Sequence, residues 1–86
     1  MHTINPKILQ TPISEGKMLL LEPKQGLYFE LNEVSALIFE GIQHNKNESE
    51  ILDMIIQSFD VNKDEAASDM KSLLEQLKDN NIINKL

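Results

Sequence analysis

Between Gly26 and Phe39 the hydrophobic period of the chain changes without an intervening loop, and this junction constrains the fold more than any other feature. Leu27, Phe29 and Leu31 alternate with Tyr28 and Glu30, the two-residue period of a half-buried strand. Past Asn32 the spacing shifts, and Val34, Leu37, Ile38 and Ile42 fall at i, i+3, i+4 and i+8, one face of a helix. Asn32 suits the cap between them, because its side-chain oxygen can accept a bond from a free amide of the first helical turn. A strand therefore feeds straight into a helix.

The elements on either side extend this pattern. The first 31 residues suggest extended structure and the rest suggests helix. Lys7–Gln10 is a short candidate strand, and Thr11–Gly16 carries turn chemistry in Pro12, Ser14 and Gly16. The apolar run Met18–Leu21 within Lys17–Glu22 is short and ends at a Pro23–Gly26 turn, which predicts a buried strand joined to Leu27–Leu31 as a hairpin. Three helices are expected after the junction. The first spans about Glu33–Gln43 and stops at the polar His44–Lys46. The second has Asn47 as its cap with Glu50 three residues on, a capping box, and an apolar face of Ile51, Leu52, Ile55, Ile56 and Phe59. The third starts at Asn62 with Glu65 in the same relation and with Val61 and Ala66 placed as a hydrophobic staple. Its stripe is Ala66, Met70, Leu73, Leu74 and Leu77. Asn80 or Asn81 can take the left-handed conformation that ends a helix, returning Ile82 and Ile83 to the core.

Size and charge exclude several functions. An 86-residue chain is expected to form one domain, burying about 60–65% of its unfolded surface, which leaves little room for an enclosed active site. With no cysteine there is neither a disulfide nor a thiolate metal site. No apolar run reaches the length of a membrane span and the N-terminus lacks a signal-peptide core, so a cytoplasmic protein is the expectation. Fourteen acidic residues against eight basic ones give a net charge of -6, and every basic residue is a lysine. Arginine's bidentate fork and the counterion release that drives nucleic-acid affinity are both missing.

Catalytic and metal chemistry find no support either. His2 and His44 have no partner at ligand spacing; His2 lies at an end expected to fray and His44 in a polar loop. Glu48 and Glu50, like Asp64 and Glu65, fall in first helical turns, where favourable interaction with the helix dipole explains them better than acid–base catalysis does. The three glycines are scattered rather than gathered in a phosphate loop, and no serine has a base at local spacing. No catalytic residue, metal or cofactor is expected. On the third helix, Lys63, Lys71 and Lys78 are outnumbered by Asp64, Glu65, Asp69, Glu75 and Asp79, which sets carboxylates against phosphates in any major groove.

The ordered set of landmarks resembles the PqqD-like family, the small peptide-binding proteins also called RiPP recognition elements. It runs through Met18–Pro23, Gly26–Asn32, Ala36–Gly41, Glu50–Phe59, Asp69–Met70, Leu73–Leu77 and Ile82–Ile83, so the similarity covers about Lys17–Ile83. Where the family often has Gly after the third helix this chain has Asn81, which tolerates the same backbone conformation. The resemblance implies an α+β fold: a small winged helix-turn-helix-like domain with a three-stranded antiparallel sheet followed by three helices. It also implies a function, binding the leader segment of a ribosomally synthesised precursor peptide and presenting it to a modifying enzyme. In such proteins the leader adds as a strand beside the third strand, in the groove facing the third helix. Carried onto this chain, the peptide-binding residues are Leu27, Tyr28, Phe29, Glu30 and Leu31 on the strand and Asp69, Met70, Leu73 and Leu77 on the helix. By periodicity, Phe29, Leu31, Met70, Leu73 and Leu77 are core residues first, whereas Tyr28 and Glu30 point away from the face that Leu31 shares. The implied partners are a precursor leader peptide and a peptide-modifying enzyme (a protease, cyclase or radical enzyme), with no nucleic acid and no membrane. A homodimer through the edge strand is a further reading, and a small winged-helix DNA-binding regulator is the alternative function.

Overall fold

The strand-to-helix junction falls where the periodicity puts it. The structure, a computed structural model, describes residues 2–85. In chain order its elements are β1 (His2–Ile4), β2 (Leu9–Ser14), β3 (Lys17–Glu22), β4 (Leu27–Leu31), α1 (Glu33–Gln43), α2 (Glu48–Ser58), α3 (Lys63–Asp79) and β5 (Ile83–Lys85). The strands β2, β3 and β4 form an antiparallel sheet in that order, and three helices follow it. The class is α+β, as expected.

Side-chain alternation gives the sheet two unlike faces. Across β3 and β4 the register pairs Leu20 with Phe29 and Met18 with Leu31, on the face covered by α1. Leu20 and Leu31 are buried there, and Phe29 is half-buried against the same core. The hairpin between these strands is held by Glu22, which is itself 4% exposed. Its carboxylate accepts bonds from the backbone N–H of Lys24 (3.1 Å) and Gln25 (2.7 Å), so the buried charge is matched by donors. Gly26 closes the turn at φ +69°, a conformation that side chains disfavour.

Each helix begins on an asparagine. Asn32 Oδ1 accepts from Ser35 N–H at 2.9 Å. At α2 the bonding is reciprocal: Glu50 N–H donates to Asn47 Oδ1 (2.8 Å) and Asn47 N–H donates to Glu50 Oε1 (3.0 Å). At α3 only half of the expected box forms. Asn62 Oδ1 accepts from both Asp64 N–H (2.8 Å) and Glu65 N–H (3.3 Å), and no bond returns from the Glu65 carboxylate. Two helices also end alike. After α3, Ile82 N–H bonds the Leu77 carbonyl and Asn81 N–H the Lys78 carbonyl, with Asn81 at φ +60°. After α1, Lys46 N–H reaches Gly41 and Asn45 N–H reaches Ile42, with Asn45 at φ +58°. Both are the six-to-one and five-to-two closure of a Schellman motif. In the first, Ile82 also meets the apolar requirement, since it and Leu77 are both buried.

Three further expectations need correction. Strand β2 continues through Thr11, Pro12 and Ile13, and only Glu15–Gly16 turns. Pro12 is tolerated because β2 lies at the sheet edge and its register slips by a bulge between Pro12 and Ser14. His2 does not fray: it opens β1, which pairs with β5 from His2↔Lys85 to Ile4↔Ile83. Its ring is 6% exposed, with Nε2 3.0 Å from Glu48 Oε2. Val61, placed to staple α3, stays exposed while Ala66 is buried.

The core gathers Leu20, Ile38, Phe39, Ile51, Ile55, Leu77, Ile82 and Ile83, each under 2% exposed. At Gly41 helices α1 and α2 approach so closely that an added Cβ would lie 2.7 Å from Ile51 Cγ1. Alanine favours helix over glycine by about 1 kcal/mol, yet here overpacking by about 1–3 kcal/mol opposes it. Gly41→Ala should therefore lower the thermal midpoint. A rise in Tm on calorimetry would show that α2 can move aside.

Candidate peptide groove

The sheet has two edges, and they are unequal. On β2 the edge is interrupted by Pro12, which has no N–H, and by the bulge beside it. On β4 the five residues Leu27–Leu31 pair with β3 in unbroken register, and nothing among the described residues pairs with their other side. Helix α3 keeps its backbone away from that strand: no Cα of α3 comes within 8 Å of one in β4. A free strand edge of this kind can take an extended segment as a further strand.

The residues flanking the groove divide by burial. On the strand, Tyr28 is 68% exposed and Glu30 is exposed, while Leu27 and Phe29 are half-buried. On the helix, Asp69 is exposed and Leu73 half-buried. Leu31, Met70 and Leu77 are 3%, 5% and 1% exposed and belong to the core. They have almost no surface to offer a ligand.

Just past the end of β4, where the chain enters α1, there is a cleft of about 450 Å³. Asn32, Val34 and Ser35 from the start of α1 line one side, and Asp60, Val61, Asn62, Glu65, Asp69 and Leu73 line the other, with Ile38, Ile55 and Ala66 between. Only Asp69 and Leu73 among these belong to the peptide-binding set that the resemblance implies. The rest come together because two helix N-termini and the α2–α3 connection converge, and the two capping asparagines are the one sequence signal that marks them.

A second surface lies on the outer face of the sheet. The register aligns Leu9 with Leu21 and Leu21 with Tyr28, an apolar row across all three strands. Leu9 is 56% exposed, and no helix covers this face. The outward side of α3 is acidic: Lys63, Lys71 and Lys78 are exposed among Asp64, Glu65, Asp69, Glu75 and Asp79. Among the described residues no three His, Asp or Glu side chains converge as a metal site requires. No helix of the described residues is long and apolar enough to cross a membrane.

Comparison with known proteins bears on the fold and the family. No curated protein matches the chain. Two solved structures are similar to it over 98% of its length at 23% identity. One is TbiB1 in complex with the TbiA(beta) leader peptide, matched over 96% of that chain with a TM-score of 0.87. The other is a lasso peptide synthetase B1 complexed with the leader peptide, matched over 98% of that chain with a TM-score of 0.85. At that identity they speak for the fold. The family model for coenzyme PQQ synthesis protein D matches residues 17–83, from the first residue of β3 to the first of β5, and on this match the chain belongs to the PqqD family.

Proposed function

We propose that this protein is a peptide-binding adaptor, acting as one domain, that captures the leader segment of a ribosomally synthesised precursor and presents it to a modifying enzyme. The observation that carries this reading is the unguarded β4 edge, paired with β3 on one side and with nothing among the described residues on the other. An extended leader would complete the free amides and carbonyls of Leu27–Leu31 and place alternate side chains toward the groove and toward the outer face. Membership of the PqqD family supports it, as do two solved relatives described as bound to leader peptides.

The adaptor need perform no chemistry. By holding the leader it makes the encounter between core peptide and enzyme effectively intramolecular, at roughly millimolar local concentration for a short tether. The enzyme, a protease, cyclase or radical enzyme, requires a face of its own. The uncovered row Leu9, Leu21 and Tyr28 suits it, because that face borders the added strand and is apolar where most of the exposed residues are polar or charged. Duplex DNA does not suit α3, whose exposed carboxylates outnumber its lysines.

Amide-resolved NMR of labelled protein, titrated with the leader of a precursor encoded beside its gene, tests the proposal. Shifts should concentrate in Gly26–Asn32 and the facing turns of α3. Shifts elsewhere, or none at saturating peptide, would defeat it. Sedimentation on the same samples separates the rival occupant of the edge, a second copy of the chain: a dimer that dissociates as leader is added is a resting form only.

A further inference from the structure

The cleft at the end of β4 has a composition that strand addition alone does not require. Its floor is apolar, from Val34, Ile38, Ile55 and Leu73, and its rim carries the carboxylates of Asp60, Glu65 and Asp69. No lysine or histidine lines it, and among the described residues none of the three carboxylates is in a salt bridge. The starts of α1 and α3 both face this space, and each contributes a partial positive charge of about one half. Three full negative charges outweigh them, so the rim stays net negative.

An extended segment added along Leu27–Leu31 runs off the strand at Asn32, which itself lines the cleft. We propose that the leader recognised by this chain carries, where it leaves the added strand, a bulky apolar residue flanked by lysine or arginine. The apolar side chain fills the cleft while the cationic one meets the rim. This inference rests on the leader-binding reading above and names the class of leader. Carboxylates at a rim contribute to partner choice and association rate more than to raw affinity, because wrong, acidic leaders are repelled.

The test uses a fluorescein-labelled leader from the precursor encoded beside the gene, alongside the same peptide with its lysines and arginines replaced by glutamine. Binding is read by anisotropy at low and high salt. Three proteins are compared: the natural chain, D60N/E65Q/D69N, and a control, E15Q/D53N/D79N, that removes as much charge from residues outside the cleft. The rim variant should weaken binding of the natural leader roughly tenfold at low salt, as three partly screened pairs of modest strength would. It should bind the glutamine leader about as well as the natural chain does. Circular dichroism confirms that the variants fold. Tight binding of a leader that holds no lysine or arginine, or equal weakening by the rim and control variants, overturns the inference while leaving leader binding intact. Failure of the natural chain to bind any leader removes the reading on which it rests, and the inference with it.

Discussion

Phe39→Ala should leave a chain that is barely folded at 37 °C. Phe39 is fully buried, and α1, which carries it, packs against both other helices and the sheet, so the void opens where all layers meet. Truncating a buried phenylalanine costs about 3–5 kcal/mol, from lost transfer free energy and the cavity left behind. A chain of this length has on the order of 5–10 kcal/mol in total. The expected fall in Tm is about 15–30 °C, followed by circular dichroism at 222 nm. A fall of only a few degrees would mean that neighbouring side chains collapse into the void, and that the core is not organised around this ring.

The second large effect separates the two faces of β4. Phe29→Asp sets a carboxylate against Leu20, its fully buried cross-strand partner, and should cost about 2–4 kcal/mol of stability. Tyr28→Ala alters the neighbouring residue, which is 68% exposed, and should move Tm by no more than a degree or two. The binding effects run the other way per unit of stability lost. A tyrosine beside an added strand supplies rigid apolar area, so its truncation should raise the Kd for a leader peptide about tenfold. Calorimetry with anisotropy on both variants decides the matter. Equal losses of Tm, or unchanged leader affinity in Tyr28→Ala, would refute this division of labour.

What the sequence disclosed, and what it hid, depended on the range of the interaction. The bounds of β3, β4 and α1 and the starts of α2 and α3 were legible because alternation, helical spacing and capping asparagines act within about one turn or one strand. The pairing of β1 with β5 was not, since strands of three residues have no period to detect and their partners lie at opposite ends of the chain. The burial of His2 follows from that pairing and was hidden with it. Pro12 misled for a related reason: it signals a turn locally, and only its edge position and bulge make it compatible with a strand. The groove was foreshadowed in part. Family resemblance directed attention to Leu27–Leu31 and the stripe of α3, yet burial assigns Leu31, Met70 and Leu77 to the core. The cleft's other walls, Asn32 to Ser35 and Asp60 to Glu65, come from segments roughly thirty residues apart, and no local pattern joins them.

The ribbon of β1 and β5 has a consequence for how the chain is made. Synthesis runs from the N-terminal side, so β1 has no partner until β5 has left the ribosome. Ile82 and Ile83, two of the eight largest fully buried side chains, arrive at the same late moment. Until then the nascent chain can form its hairpin and helices but cannot seal its core. Closure of that ribbon, across nearly the whole sequence, carries the largest loop entropy in the molecule and should be its final folding event.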